Sequence, residues 1–169
     1  MPVNGFGKVW SEHSEVRDRV GCPIEHETAI QSAAGETFQG GYMFWRGDTK
    51  TIYIFFWGSP NDTVGTWQEF PDTWKDGDPE PTPVQPAPTG LYIPVRGFGK
   101  IWNENPNIRQ VLGYATEPEQ SMTGAWQAFQ HGYALWTSDK VIRFMFNENP
   151  TNNIYLRFED TYVMPTPTP

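Results

Sequence analysis

The chain repeats itself. Val3–Gly21 reads VNGFGKVWSEHSEVRDRVG, and Val95–Gly113 reads VRGFGKIWNENPNIRQVLG, aligned without a gap. The likeness continues in the same order: FQGGYMFW at Phe38–Trp45 with FQHGYALW at Phe129–Trp136, TIYIFF at Thr51–Phe56 with VIRFMF at Val141–Phe146, and FPDTW at Phe70–Trp74 with FEDTY at Phe158–Tyr162. A repeat constrains a chain more than any single motif, because whatever the copies do in common must be done by residues present in both. The copies run over residues 2–75 and 94–164. Between them, residues 76–93 begin DGDPEPTPVQPAPTG, with proline at nearly every second position. Such a stretch favours extended polyproline II and reads as a semi-rigid spacer. The closing PTPTP, residues 165–169, reads as the start of a second spacer in a longer, beads-on-a-string protein.

Within a copy, the first segment is helical but interrupted. Pro106 stands where the first copy has Ser14, and proline inside a helix loses a hydrogen bond and clashes with the preceding turn. The pattern predicts a first helical turn or two over Gly7–Glu12 and Gly99–Glu104. A second short helix is capped by Ser14 in one copy and by Asn105 before Pro106 in the other, and is closed by Gly21 and Gly113. Phe6, Trp10, Val16 and Val20, matched by Phe98, Trp102, Ile108 and Leu112, fall on the face such helices bury. FQGGYMFWR, TIYIFFW and TWQEF read as strands, with polar hairpin connections at Arg46–Lys50 and Thr137–Lys140 and an edge strand at Ala29–Ala33. The expected fold class is α+β: two tandem copies of a small antiparallel-sheet module, each with an N-terminal broken helical segment. About 70 residues is near the lower size for a self-standing core. The 15% aromatic content, with eight Trp, suits that size because large rings bury much area per residue.

Charge and composition exclude several classes. A net charge of −8 repels a phosphate backbone, so nucleic acid is not an expected partner. No apolar run approaches the roughly 20 residues that span a bilayer, so no membrane insertion is expected. The start, MPVNGFGKVW, lacks a basic stretch followed by an apolar one; a signal peptide, if the protein is exported, is expected upstream of this chain. The single cysteine, Cys22, excludes an internal disulfide framework and a cysteine-based zinc site.

A family resemblance rests on one run of residues. VGCP at Val20–Pro23 and LGYA at Leu112–Ala115 follow a helix carrying K-x-W. Each precedes a glutamate, Glu27 or Glu119, and is followed by a strand with F-x-x-G and a distal Trp. That order resembles the LGFP repeat of bacterial cell-surface proteins, in diverged form, since neither copy has the full tetrapeptide. The resemblance implies an exported, cell-wall-associated repeat without catalytic activity.

The repeat also filters candidate chemistry. His13, His26 and His131 are matched by Asn105, Pro118 and Gly40, so no histidine recurs and no shared nucleophile–histidine pair or histidine metal site is expected. Glu25 and Glu27 recur as Glu117 and Glu119. Paired carboxylates suit a glycosidase or a calcium site, but the favoured reading is that one glutamate closes the turn after the helices by accepting backbone N–H bonds. Asp72 and Asp160 recur before a Thr and an aromatic, where a side-chain turn to the backbone is the favoured reading. Asp76, Asp78 and Glu80 lack calcium-loop spacing. Arg46-Gly47-Asp48 spells an adhesion tripeptide, but it falls at a hairpin turn and is Thr137-Ser138-Asp139 in the other copy; turn chemistry is favoured.

The aromatic residues are the remaining candidates. Phe6, Trp10, Phe38 and Trp45 and their counterparts are expected in the core. Trp67, Trp74, Trp126 and Tyr162 are the candidate sugar-stacking faces, with Gln39, Gln130, Glu27 and Glu119 to hold hydroxyls. The expected function is a non-catalytic extracellular tandem-repeat module that binds or attaches to a cell-wall glycan or other surface polymer. No catalytic residue, metal or cofactor is expected. The alternatives are a structural or protein-interaction spacer that contacts another surface protein, and a carboxylate-based hydrolase acting through Glu25 and Glu27.

Overall fold

The structure, a computed structural model, describes residues 1–148 and 153–163; the expected second spacer at residues 165–169 lies outside them. In the first copy the elements are α1 (Asn4–Glu12), α2 (Ser14–Val20), β1 (Thr28–Phe38), β2 (Gly41–Arg46), β3 (Thr51–Phe56) and β4 (Val64–Pro71). In the second they are α3 (Arg96–Glu104), α4 (Pro106–Leu112), β5 (Gln120–Phe129), β6 (Gly132–Thr137), β7 (Val141–Phe146) and β8 (Asn153–Glu159).

The helical segment breaks where proline predicts. His13 and Asn105 leave the helical region, with φ near −114° and −119°, and Pro106 opens α4. Gly21 and Gly113 end the second helices with φ of 77° and 69°, a conformation that only glycine adopts without cost. The indole N–H of Trp10 donates to Gly21 O (2.9 Å), and that of Trp102 to Gly113 O (2.7 Å), so each first helix fastens the end of the second.

The strand pattern departs from expectation inside FQGGYMFW. The chain turns at Gln39–Gly40, so one expected strand is two, paired Phe38 to Gly41; the expected edge strand at Ala29–Ala33 belongs to β1. In the second copy Gln130–His131 make the same turn, with Phe129 paired to Gly132. A side chain at Gly41 would collide with Phe55 O, which explains the glycine.

The fold class requires correction. The eight strands hydrogen-bond in the order β1-β2-β3-β4-β8-β7-β6-β5, a closed antiparallel barrel rather than two separate sheets, accompanied by four short helices among the described residues. Nor does each copy carry its own helices. The chain divides into two compact units, Met1–Ala29 with the chain from Gly124 onward, and Ile30–Thr123. The helices of each copy therefore pack with the strands of the other. The physical reason is that the apolar faces of the two copies are interchangeable: Phe6 matches Phe98 and Val20 matches Leu112, so periodicity cannot say which sheet a helix covers.

In the first unit, Phe6, Val9, Val16 and Val20 pack with Phe129, Ala134, Ile142, Phe144 and Phe146. Phe144 receives Phe6 and Phe129 edge-on, with ring centroids 6.2 and 5.7 Å away, geometry that suits the ring quadrupoles. In the second unit, Phe98, Ile101, Trp102, Ile108 and Leu112 pack with Phe38, Met43, Ile52 and Ile54.

The proline-rich segment belongs to the second unit and is tethered there. Arg96 N–H donates to Glu80 Oε2 (2.8 Å), Val84 N–H to Asn103 Oδ1 (3.3 Å), and the Tyr114 hydroxyl to Pro86 O (3.1 Å). Tyr92 exchanges backbone hydrogen bonds with Ala115. The segment expected as a semi-rigid spacer is thus tied to α3 and to the turn after α4. No helix among the described residues is long and apolar enough to cross a membrane.

Candidate functional site

The structure gives the recurring glutamines a definite task. Gln39 Oε1 accepts the backbone N–H of Tyr114 (3.0 Å), and Gln130 Oε1 accepts that of Cys22 (2.9 Å). Each hairpin turn therefore clips the turn that follows the second helix, the role expected of a glutamate. Glu27 and Glu119 instead face the starts of α1 and α3. Asn4 Nδ2 lies 3.5 Å from Glu27 Oε1, and Arg96 Nη1 donates to Glu119 Oε1 at 3.1 Å. Burial raises both carboxyls above their ordinary pKa. For Glu119 this outweighs the opposing effect of Arg96.

Trp67 and Trp126 are buried, 3% and 6% exposed, each beside a tyrosine ring (Tyr53 and Tyr133), which removes their faces from solvent. Trp74 and Tyr162 are half-buried and follow the anticipated side-chain turn: Asp72 Oδ1 accepts from Trp74 N (3.1 Å), and Asp160 Oδ1 from Tyr162 N (3.0 Å). Arg46 and Asp48 are engaged with each other, guanidinium to carboxylate at 2.8 and 3.0 Å, as hairpin chemistry predicts.

Two of the expected residues, Trp74 and Glu119, come together in the second unit. There they line a cleft of about 600 Å³ with Trp45, Lys50, Asp72 and Arg96. That volume is of the size that receives small ligands. Glu117 is exposed and does not line it. Trp45 is expected in the core from the sequence, and Lys50 only in a hairpin connection; in the structure both line the cleft.

Lys50 and Arg96 stand on left-handed backbone, with φ of 54° and 51°. A long side chain there costs on the order of 1 kcal/mol. The first unit has Lys140 (φ 63°) and Asn4 (φ 52°) at the matching positions, and asparagine tolerates this region better. Nothing in the repeat announced Arg96, since its counterpart is Asn4. The Lys50 ammonium lies 5.1 Å from the Trp45 ring centroid, within cation–π range.

Two donors in the cleft are unused. The indole nitrogens of Trp45 and Trp74 are buried and have no hydrogen-bond partner among the described residues. In the first unit the counterpart of Trp45 is satisfied: Trp136 Nε1 donates to Asp160 Oδ2 at 2.8 Å. In the same unit, Glu36 of β1 is 2% exposed. Its carboxyl is pushed up to about 8, first by burial and then by the charges of Glu119 and Glu117. The matching residue is Gln127, whose amide donates to Glu25 O at 3.0 Å.

Comparison of the chain with protein-family models, with curated proteins and with solved structures returns no match.

Proposed function

We propose that the chain is a non-catalytic binding module that holds a glycan or other polyhydroxylated surface polymer in the cleft of the second unit. The observation that carries this reading is the pairing, in one cleft, of Trp45 and Trp74 with both indole N–H groups unspent. Apolar rings with a few fixed polar groups are what a sugar requires, since its C–H face stacks while its hydroxyls are held at the edge. Two of the three carboxylates that line the cleft already have positioning tasks, Asp72 in its turn with Trp74 and Glu119 beside Arg96, which favours holding over cleaving. The diverged LGFP-like order supports display on a bacterial cell surface.

The test is retention of the purified chain on insoluble cell-wall and other polysaccharide fractions, with Trp74→Ala and Trp45→Ala beside it. Loss of one stacking ring is expected to weaken retention on the order of tenfold. Absence of retention on every fraction, or equal retention of the double variant, would sink the proposal.

A further inference from the structure

The two units differ at one pair of residues in a way that specifies the ligand. In the first unit an indole donor and a carboxylate acceptor satisfy each other, Trp136 Nε1–H to Asp160 Oδ2. Asp160 Oδ1 is meanwhile occupied by the backbone of Tyr162. In the second unit the equivalent groups are Trp45 and Asp72. Asp72 Oδ1 makes the same turn, to Trp74 N. It packs against Gly97 at the start of α3, where any Cβ would lie 2.5 Å from it. Trp45 Nε1, however, is buried without a partner among the described residues, so it makes no bond to Asp72 like that of Trp136 to Asp160, and the turn of Asp72 uses Oδ1. Both residues line the cleft.

A donor and an acceptor on two residues that line one cleft, and that are not bonded to each other, call for a group that is both at once. A hydroxyl fits: its oxygen accepts from the indole N–H and its hydrogen goes to the carboxylate. A carboxylate or phosphate ligand would satisfy Trp45 and meet Lys50 and Arg96 but has no hydrogen to give Asp72, and an ammonium would satisfy Asp72 but leave the indole unpaired. We infer that Trp45 and Asp72 bracket a hydroxyl of an uncharged saccharide, and that the chain carries this bracket in the second unit alone, its counterpart in the first unit being closed on itself. The inference rests on the binding function proposed above and deepens it in two respects, ligand chemistry and valence.

Indole ¹H–¹⁵N spectra test it on the whole chain. The Trp45 and Trp136 signals are assigned with Trp45→Phe and Trp136→Phe, and the probes are tetrasaccharides of glucose, N-acetylglucosamine and mannose. The expected result is a saturable shift of the Trp45 signal by at least one probe, one site per chain, with the Trp136 signal unmoved. Asp72→Asn keeps the Oδ1 turn but turns the acceptor into a donor, and should weaken that probe on the order of tenfold or more. Trp45→Phe, which keeps a ring and removes the N–H, should do likewise and serves if the Asp72 variant does not fold. Binding that leaves the Trp45 signal still, or that moves Trp45 and Trp136 together with two sites per chain, or that survives both variants, overturns the bracket and leaves the binding function standing. No response to any tetrasaccharide, with no retention on polysaccharide fractions, overturns both.

Discussion

Replacing Glu36 with glutamine tests how a buried polar position of β1 is satisfied. The matching Gln127 shows what the position requires, a donor to a backbone carbonyl (Glu25 O, with Glu117 O the equivalent). A glutamate supplies that hydrogen only when protonated, and Glu36 has its carboxyl raised from 4.5 to about 8 by burial and by the charges of Glu119 and Glu117. Between those two pH values the folded chain keeps a proton that the unfolded chain gives up. The contribution is therefore whole below about 4.5, declines as pH rises, and is lost above about 8. The slope is about 1.4 kcal/mol per pH unit, so the span sets a ceiling on the order of 5 kcal/mol. Glu27 and Glu119, also raised, add a smaller slope of the same sign that the variant retains. Asp48, held low by Arg46, acts in the opposite sense, losing its contribution only as pH falls through the acid range. Urea denaturation followed by tryptophan fluorescence at pH 5, 7 and 9 reads the effect. Glu36→Gln should match the parent chain near pH 5 and exceed it by several kcal/mol at pH 9. Equal stability at pH 9, or a parent chain that grows more stable between pH 5 and 8, would refute the reasoning.

Three further outcomes follow from the packing. Residues 2–75 expressed alone should not behave as a folded monomer, because Phe6, Val9, Val16 and Val20 then lack the strands they cover; light scattering should show a helix-exchanged dimer or an unfolded chain, and a monomer with cooperative, concentration-independent unfolding would contradict the exchange. Trp102→Phe removes the bond to Gly113 O from a fully buried ring and should cost about 1–3 kcal/mol in denaturant unfolding; an unchanged midpoint would show the bond to be dispensable. Gly41→Ala pushes a methyl into Phe55 O and should cost about 1–3 kcal/mol, visible as a lowered Tm, whereas an unaltered Tm would mean that the hairpin shifts freely.

Much of the local structure was legible in the residues. Pro106 announced the helix break, Gly21 and Gly113 its end, and Asp72 and Asp160 their turns, because each feature depends on the chemistry of one or two neighbouring residues. The hairpin turn at Gln39–Gly40 was not legible, since the aromatic run continues through it and its second-copy counterpart is Gln130–His131. The exchange of helices and the closure of the strands were hidden for a different reason: both depend on which of two equivalent surfaces meet, and equivalent surfaces carry the same pattern. The cleft was half legible. Trp74 and Glu119 recur in kind and could be singled out, but Trp45 sits at a position that reads as core, and Arg96 breaks the repeat at Asn4.

The exchange of helices has a consequence for how such chains can grow. Each copy lends its helices to a neighbour's strands and borrows the neighbour's in return. A gene duplication that added a third copy would bring two helices with no sheet to cover and a sheet with no helices. The pair of copies, not the repeat visible in the sequence, is therefore the unit that packs.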